Sequence, residues 1–220
     1  MKIGVLGGTG PLGQGLAVRF ADQGHDVVLG SRDAAKSEVI VSELQEQWGS
    51  RLDTLTPGAN ADAAATDMVV LATVWDAAVA TATDLADQLD GRIVICVANG
   101  LTKVGKQFSP VLPPEGSIAA AVQAAAPGAR VIAAFQHIPA AALRDLDGEL
   151  EGDVLVAGDD DDARNLVIDL VDDLGTLRGL DVGGLVNAQG IETFAAAMLT
   201  VNLRYKGEST LHLGGVGAHK

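Results

Sequence analysis

The residues best suited to chemistry come first in the chain. Gly4-Val5-Leu6-Gly7-Gly8-Thr9-Gly10-Pro11-Leu12-Gly13 follows an apolar run and opens a helical one. Gly8, Gly10 and Gly13 fit the G-x-G-x-x-G pattern. The pattern alone is weak, but a strand before it and a helix after it are the context that gives it meaning. Gly8 permits a tight turn, Gly10 lets backbone approach a pyrophosphate, and Gly13 lets the helix lie close to the strand. Thr9 and Leu12 complete the loop. Pro11 suits the first helical position, where an N–H has no intrahelical partner. The helix start then offers free amides and a positive dipole end to phosphate.

Which dinucleotide binds is decided after the second strand. An NAD site places Asp or Glu there, to accept from the ribose hydroxyls. This chain has Gly30-Ser31-Arg32. Arg32 can grip a 2′-phosphate in fork geometry, and Ser31 adds a hydroxyl donor. Lys36 lies one helical turn further on and faces the same way. The pattern selects NADP over NAD.

Catalytic side chains are scarce. Carbonyl reduction by hydride needs an acid to protonate the alkoxide. The only tyrosine is Tyr205, with Ser209 four residues on, so the Y-x-x-x-K pair of short-chain reductases is absent. Of His25, His137, His212 and His219, only His137 falls in a plausible cleft loop, followed by Ile138 and Pro139. No H-E-x-x-H or similar metal-ligand spacing occurs. Asp159-Asp160-Asp161-Asp162 reads as the capped, dipole-matched start of a helix rather than a cation site. Cys96, the single cysteine, reads as a small buried hydrophobe. It precludes an intrachain disulfide and suits a reducing compartment.

These residues need a scaffold. Strands are expected at 2–6, 25–29, 67–72, 92–97, 130–135 and 154–157. Helices are expected at 12–23, 34–48, 76–89, 117–126, 160–174 and 185–205. Continuous apolar strands alternating with helices imply an α/β fold, a Rossmann-type doubly wound parallel sheet. The rhythm changes near residue 140. We therefore expect an NADP-binding domain over 1–140 and a small C-terminal α+β subdomain over 141–220 packed against it. The last helix carries Phe194-Ala195-Ala196-Ala197-Met198-Leu199 and is apolar on most faces. Such a helix needs more than one neighbour, which points to a homodimer.

Composition excludes other classes. The chain has 220 residues, 48% hydrophobic but only 3% aromatic, so its core must be aliphatic. A net charge of −14 is wrong for nucleic acid or an anionic membrane surface. No apolar run reaches membrane-spanning length, and no signal peptide is evident. The expected location is the cytoplasm.

Gly-Gly-Thr-Gly-Pro-Leu-Gly at 7–13, Gly-Ser-Arg at 30–32, Val74-Trp75 and Gln136-His137-Ile138-Pro139-Ala140 together resemble the NADPH-dependent reductases of the deazaflavin coenzyme F-420. Gly158-Asp159-Asp160, Leu185-Val186-Asn187 and Glu192 extend the resemblance over nearly the whole chain. It implies an oxidoreductase that moves hydride between NADP(H) and the deazaflavin. It places the pyrophosphate on Thr9, Gly10, Pro11 and Leu12, and the 2′-phosphate on Ser31, Arg32 and Lys36. It puts the nicotinamide near Ala72, Val74 and Trp75, and the deazaflavin near His137, Ile138, Pro139 and part of the last helix. The chain departs from the family at Pro11, Val74, Gln136 and His137. The scarcity of acids and bases agrees with direct hydride transfer, in which no side chain need act as catalyst. Two other classes stay open at the level of sequence: an NADP-dependent reductase of a flavin, ferric chelate or imine, and a non-enzymatic NADP-binding redox sensor.

Overall fold

A computed structural model describes residues 1–217; His219 lies outside the described residues. The first half alternates β1 (Lys2–Leu6), α1 (Pro11–Asp22), β2 (Asp26–Ser31), α2 (Ala34–Trp48), β3 (Leu55–Ala59), α3 (Asn60–Ala64) and β4 (Met68–Leu71). Next come α4 (Trp75–Asp84), α5 (Ala86–Leu89), β5 (Ile93–Cys96) and a hairpin of β6 (Leu101–Val104) with β7 (Gln107–Pro110). The chain continues through α6 (Ile118–Ala125), β8 (Arg130–Ala133), α7 (Ala140–Arg144), β9 (Glu151–Gly158), α8 (Asp161–Asp172), β10 (Thr176–Asp181) and α9 (Ala188–Tyr205).

Eight strands form one sheet in the order β10-β9-β8-β5-β4-β1-β2-β3. From β3 to β8 every pairing is parallel, and the order reverses between β1 and β4. That is the Rossmann arrangement, with its ligand crevice expected at the carboxyl ends of β1 and β4. Two strands of the later chain, β9 and β10, extend the same sheet. β9 joins β8 antiparallel over two register pairs, Ile132 with Gly158 and Ala133 with Ala157, and β10 runs parallel to β9.

The pleat explains why these strands are apolar throughout. Ile3, Val5, Met68, Val70, Ile93 and Ile95 enter one core with α1, α2 and α8. Leu6, Val69, Leu71, Val94 and Cys96 enter a second core with α4, α6 and α9. Successive side chains point to opposite faces, and both faces are covered. The cores are aliphatic as the composition requires; Phe20 and Phe135 are the aromatic side chains among the largest fully buried ones.

The helix expected at 76–89 is instead two helices broken at Leu85 (φ −111°, ψ 12°). The last helix begins as a 3-10 turn at Leu185–Asn187 before α9 proper. Asp160 caps α8 by accepting from the Ala163 N–H at 2.7 Å, and Asp161 and Asp162 fill its first turn. Asp159 instead accepts from the Leu185 N–H at 2.8 Å.

Candidate functional site

The glycine loop between β1 and α1 is held from three directions. Gly7 takes a left-handed φ of +65° and donates its N–H to Asn60 Oδ1 at 3.1 Å. Gly8 N–H donates to Gly30 O at 2.9 Å, and Gln14 Nε2 donates to Thr9 O at 2.8 Å. The turn's conformational demand therefore falls on Gly7, not on Gly8 as expected. Gly8 is required for space: a Cβ there would lie 2.9 Å from Leu29 Cγ and 3.0 Å from Val5 O. A Cβ on Gly13 would lie 2.7 Å from Gly8 Cα, so the helix does sit tightly on the turn. Gly10 differs, because the nearest atom to its Cβ position is Gly7 O at 3.9 Å. The space beside it is open, and it faces a cleft.

That cleft has a volume of about 590 Å³. It lies over the carboxyl ends of β1, β2 and β4. Thr9 and Gly10, Ser31, Arg32 and Lys36, and Ala72 and Val74 all line it. The structure thus brings together seven of the residues singled out in the sequence, from three separate segments. Pro11 occupies the first turn of α1, and Gly10 at the N-cap supplies no side-chain acceptor. The first-turn amides are left without a side-chain cap, as a phosphate site requires. Trp75 does not line the cleft; it starts α4 and packs on the second core.

Several lining residues were not visible as site residues in the sequence. Asn60 starts α3, Thr73 follows β4, and Ala77 and Thr81 come from α4. Asp33 also lines the cleft, so a carboxylate does stand near the end of β2. It is occupied as the N-cap of α2, accepting from the Ala35 N–H at 3.1 Å. Ser31 is buried, and its hydroxyl accepts from the Asp33 N–H at 3.2 Å. Arg32 and Lys36 are exposed and outnumber Asp33 in this corner.

A second, smaller cavity of about 210 Å³ lies across the start of α1. Leu12, Asn99 and the segment Gln136–Ala140 form one side, and Ala195, Met198, Leu199 and Asn202 of α9 form the other. His137, Ile138 and Pro139 therefore share a pocket with the last helix. The chain reaches it through Phe135, a fully buried residue at φ +69° that packs edge-on to Phe20. Asn99 Nδ2 donates to Gln136 O at 2.7 Å, and Gln136 Nε2 to Cys96 O at 2.8 Å.

His137 is 6% exposed, and its Nε2 accepts from the Leu155 N–H at 3.4 Å. Burial depresses its pKa to about 4, against a smaller opposing pull from Asp153. It is a neutral imidazole at physiological pH and a poor proton donor. Burial and the nearby Glu192 charge push the Cys96 thiol up to about 12, so it is inert. Tyr205 is 81% exposed at the end of α9. Among the described residues no group of three or more His, Cys, Asp or Glu could hold a metal. No described helix is long and apolar enough to cross a membrane.

The comparisons with known proteins agree with this architecture. Residues 2–100 match a family model described as NADP oxidoreductase, coenzyme F420-dependent. The F420-dependent NADP reductase of Methanocaldococcus jannaschii is 35% identical over 216 residues, covering 96% of both chains. That of Methanothermobacter thermautotrophicus is 38% identical over 216 residues, covering 93% of this chain and 90% of its own. The crystal structure of a proposed F420-dependent NADP reductase from Arthrobacter sp. FB24 superposes with a TM-score of 0.80 at 28% identity, covering 96% of this chain and 97% of that one. With similarity of this degree over nearly the whole length of both chains, the chain belongs to the F420-dependent NADP reductase family.

Proposed function

We propose that this protein is an oxidoreductase that transfers hydride between NADP(H) and the deazaflavin coenzyme F-420. The observation that carries the reading is the pair of cavities flanking the start of α1. One has a phosphate-binding loop and two cations; the other is a mostly apolar slot whose histidine is neutral. The names of the full-length relatives supply the second substrate.

In this reading Thr9, Gly10 and the first-turn amides of α1, with Pro11 and Leu12, hold the pyrophosphate. Ser31, Arg32 and Lys36 hold the 2′-phosphate. Ala72, Val74 and the neighbouring Thr73 flank the nicotinamide end. His137, Ile138 and Pro139, with α9, receive the deazaflavin. When bound, the two ring systems supply the chemistry, a direct hydride exchange between carbons. The protein aligns them and keeps water out; near-attack contact requires about 3–3.5 Å. The negative charge that hydride leaves on the reduced deazaflavin is neutralised by a solvent proton, so no side chain of the cleft is assigned that transfer.

The reading divides the chain into an NADP-binding part, 1–140, and a part, 141–220, that completes the deazaflavin cleft. It places the protein in the cytoplasm, where NADPH and an unpaired cysteine are both at home. It also includes a homodimer: α9 leaves Phe194 and Val201 partly exposed and Tyr205 largely so, a face suited to a second subunit.

The test is spectrophotometric. Purified protein mixed with NADPH and oxidised deazaflavin should bleach the deazaflavin's visible absorbance, and NADH should do so far more slowly. NADPH binding without turnover of the deazaflavin would refute the assignment.

A further inference from the structure

Glu192 is a carboxylate with no part in the site described above, yet it is 1% exposed in the molecule's second core region. It sits on α9, one turn before the pocket wall. Glu192, Ala195, Leu199 and Asn202 fall at i, i+3, i+7 and i+10, a single helical stripe. The last three line the smaller cavity. The first does something else: Oε2 accepts from the Ile118 N–H at 2.8 Å and Oε1 from the Ala119 N–H at 3.0 Å. These are the first two amides of α6. Ser117 Oγ accepts from the next free one, Ala120, at 3.0 Å. The start of α6 is thus fully engaged, with two of its three bonds made by another helix. Both oxygens of one carboxylate are spent on tying α9 to α6.

We propose that Glu192 is a positioning residue for the deazaflavin: its carboxylate, chelating the start of α6, sets the depth of the α9 wall and so the width of the acceptor slot. The proposal rests on the reading that the smaller cavity takes the deazaflavin ring.

The contact is sensitive to protonation. Burial raises the Glu192 pKa to about 7 despite the opposing effect of the two amide bonds. From β5 the Cys96 thiol faces it, itself neutral at a pKa of about 12. From α6 it meets the amides of Ile118 and Ala119. Because the Glu192 value lies above the ordinary carboxylate range, burying the charged form costs more than the two amide bonds return. The docked wall is therefore favoured as pH falls through about 7 and is held less firmly above it.

The experiment is steady-state kinetics of the full-length enzyme on both substrates, from about pH 6 to about pH 8.5, for the parent and Glu192→Gln. The parent's KM for the deazaflavin should rise as pH rises through the region of about 7, with kcat much less affected. In Glu192→Gln that KM should be about tenfold higher below neutral pH, because the side-chain NH2 replaces one acceptor and leaves an α6 amide unpaired. Its pH dependence should be lost, and the KM for NADPH should be unchanged. Should Glu192→Gln fail to fold, Glu192→Asp, which keeps the charge but withdraws it by one methylene, must raise the same KM and retain a pH dependence. A variant whose deazaflavin KM and pH profile match the parent's overturns the proposal while leaving the hydride-transfer reading intact. An equal rise in both KM values also overturns it, since that is general loosening. A parent that binds NADPH and never turns over the deazaflavin removes the underlying reading and the proposal together.

Discussion

Arg32→Ala removes a guanidinium from the mouth of the larger cleft and leaves the turn that carries it standing. The bonds that shape this turn run from the Asp33 N–H to Ser31 Oγ at 3.2 Å and from the Ala35 N–H to Asp33 Oδ1 at 3.1 Å. Neither uses the Arg32 side chain, so the substitution isolates a charge contact. A charge-assisted hydrogen bond contributes ~1.5–3 kcal/mol, or about 10- to 150-fold in affinity. Arg32 is exposed and Lys36 stands beside it, so screening and sharing set the expected loss near the lower end, about tenfold. NAD has no 2′-phosphate and should bind the variant as it binds the parent. Arg32→Asp should go further, adding a second carboxylate next to Asp33, weakening NADP more and offering the NAD ribose an acceptor. Ser31→Ala should cost less, on the order of 1 kcal/mol, as a neutral hydroxyl. The assay is titration of each dinucleotide against each variant. Equal weakening of NADP and NAD by Arg32→Ala would make Arg32 a general structural residue. No weakening of either would place the 2′-phosphate elsewhere and refute the reasoning.

Three further outcomes are expected. Gly10→Val should fold, because the Cβ site is open to 3.9 Å, yet it should bind neither dinucleotide well; parental NADP affinity in the folded variant would remove the phosphate-loop assignment. Asp33→Asn keeps an N-cap of equal quality and removes a negative charge from the 2′-phosphate corner. NADP affinity should rise a few-fold at low salt and lose that gain at high salt. Arg19→Ala should destabilise the fold by ~2–4 kcal/mol, seen as a lower urea midpoint, because four backbone carbonyls lose a charged donor; a midpoint equal to the parent's would show that water replaces the guanidinium.

The parallel strands were legible because their two faces are both buried. Ile3, Val5 and Leu6, or Met68 to Leu71, present apolar side chains to both cores, and a continuous apolar run is the visible result. Edge strands were not. β3 reads Leu-Thr-Pro-Gly-Ala and is largely solvent-facing at its centre, and Pro57 and Gly58 look like a turn. β10 is a mixed polar run, and the β6–β7 hairpin is mostly exposed, so periodicity had little to report. At the site, the glycines, Ser31, Arg32 and Lys36 could be read because their spacing from a strand end is local. Asn60, which supports Gly7 from 53 positions away, and Asp33, whose charge is diverted to a helix cap, depend on tertiary geometry. The role of Glu192 is of the same kind: its amide partners are 74 and 73 residues distant.

Arg19 has a consequence beyond stability. It lies on α1, the helix whose start faces the dinucleotide cleft. Its guanidinium donates to Leu143 O at 3.0 Å, Ala142 O at 2.9 Å, Asp145 O and Gly148 O, all in or just after α7, the helix that follows His137-Ile138-Pro139. Four residues earlier on α1, a Cβ on Gly15 would lie 2.7 Å from Leu143 Cβ, so the two helices also touch at glycine distance. The floor of one cavity and the rim of the other are therefore parts of one rigid girder. On the reading proposed above, this girder would set the spacing at which donor and acceptor rings meet. Turnover should then be paced by the coming and going of its two passengers, and solvent viscosity should slow it more than heavy hydrogen at the transferred position.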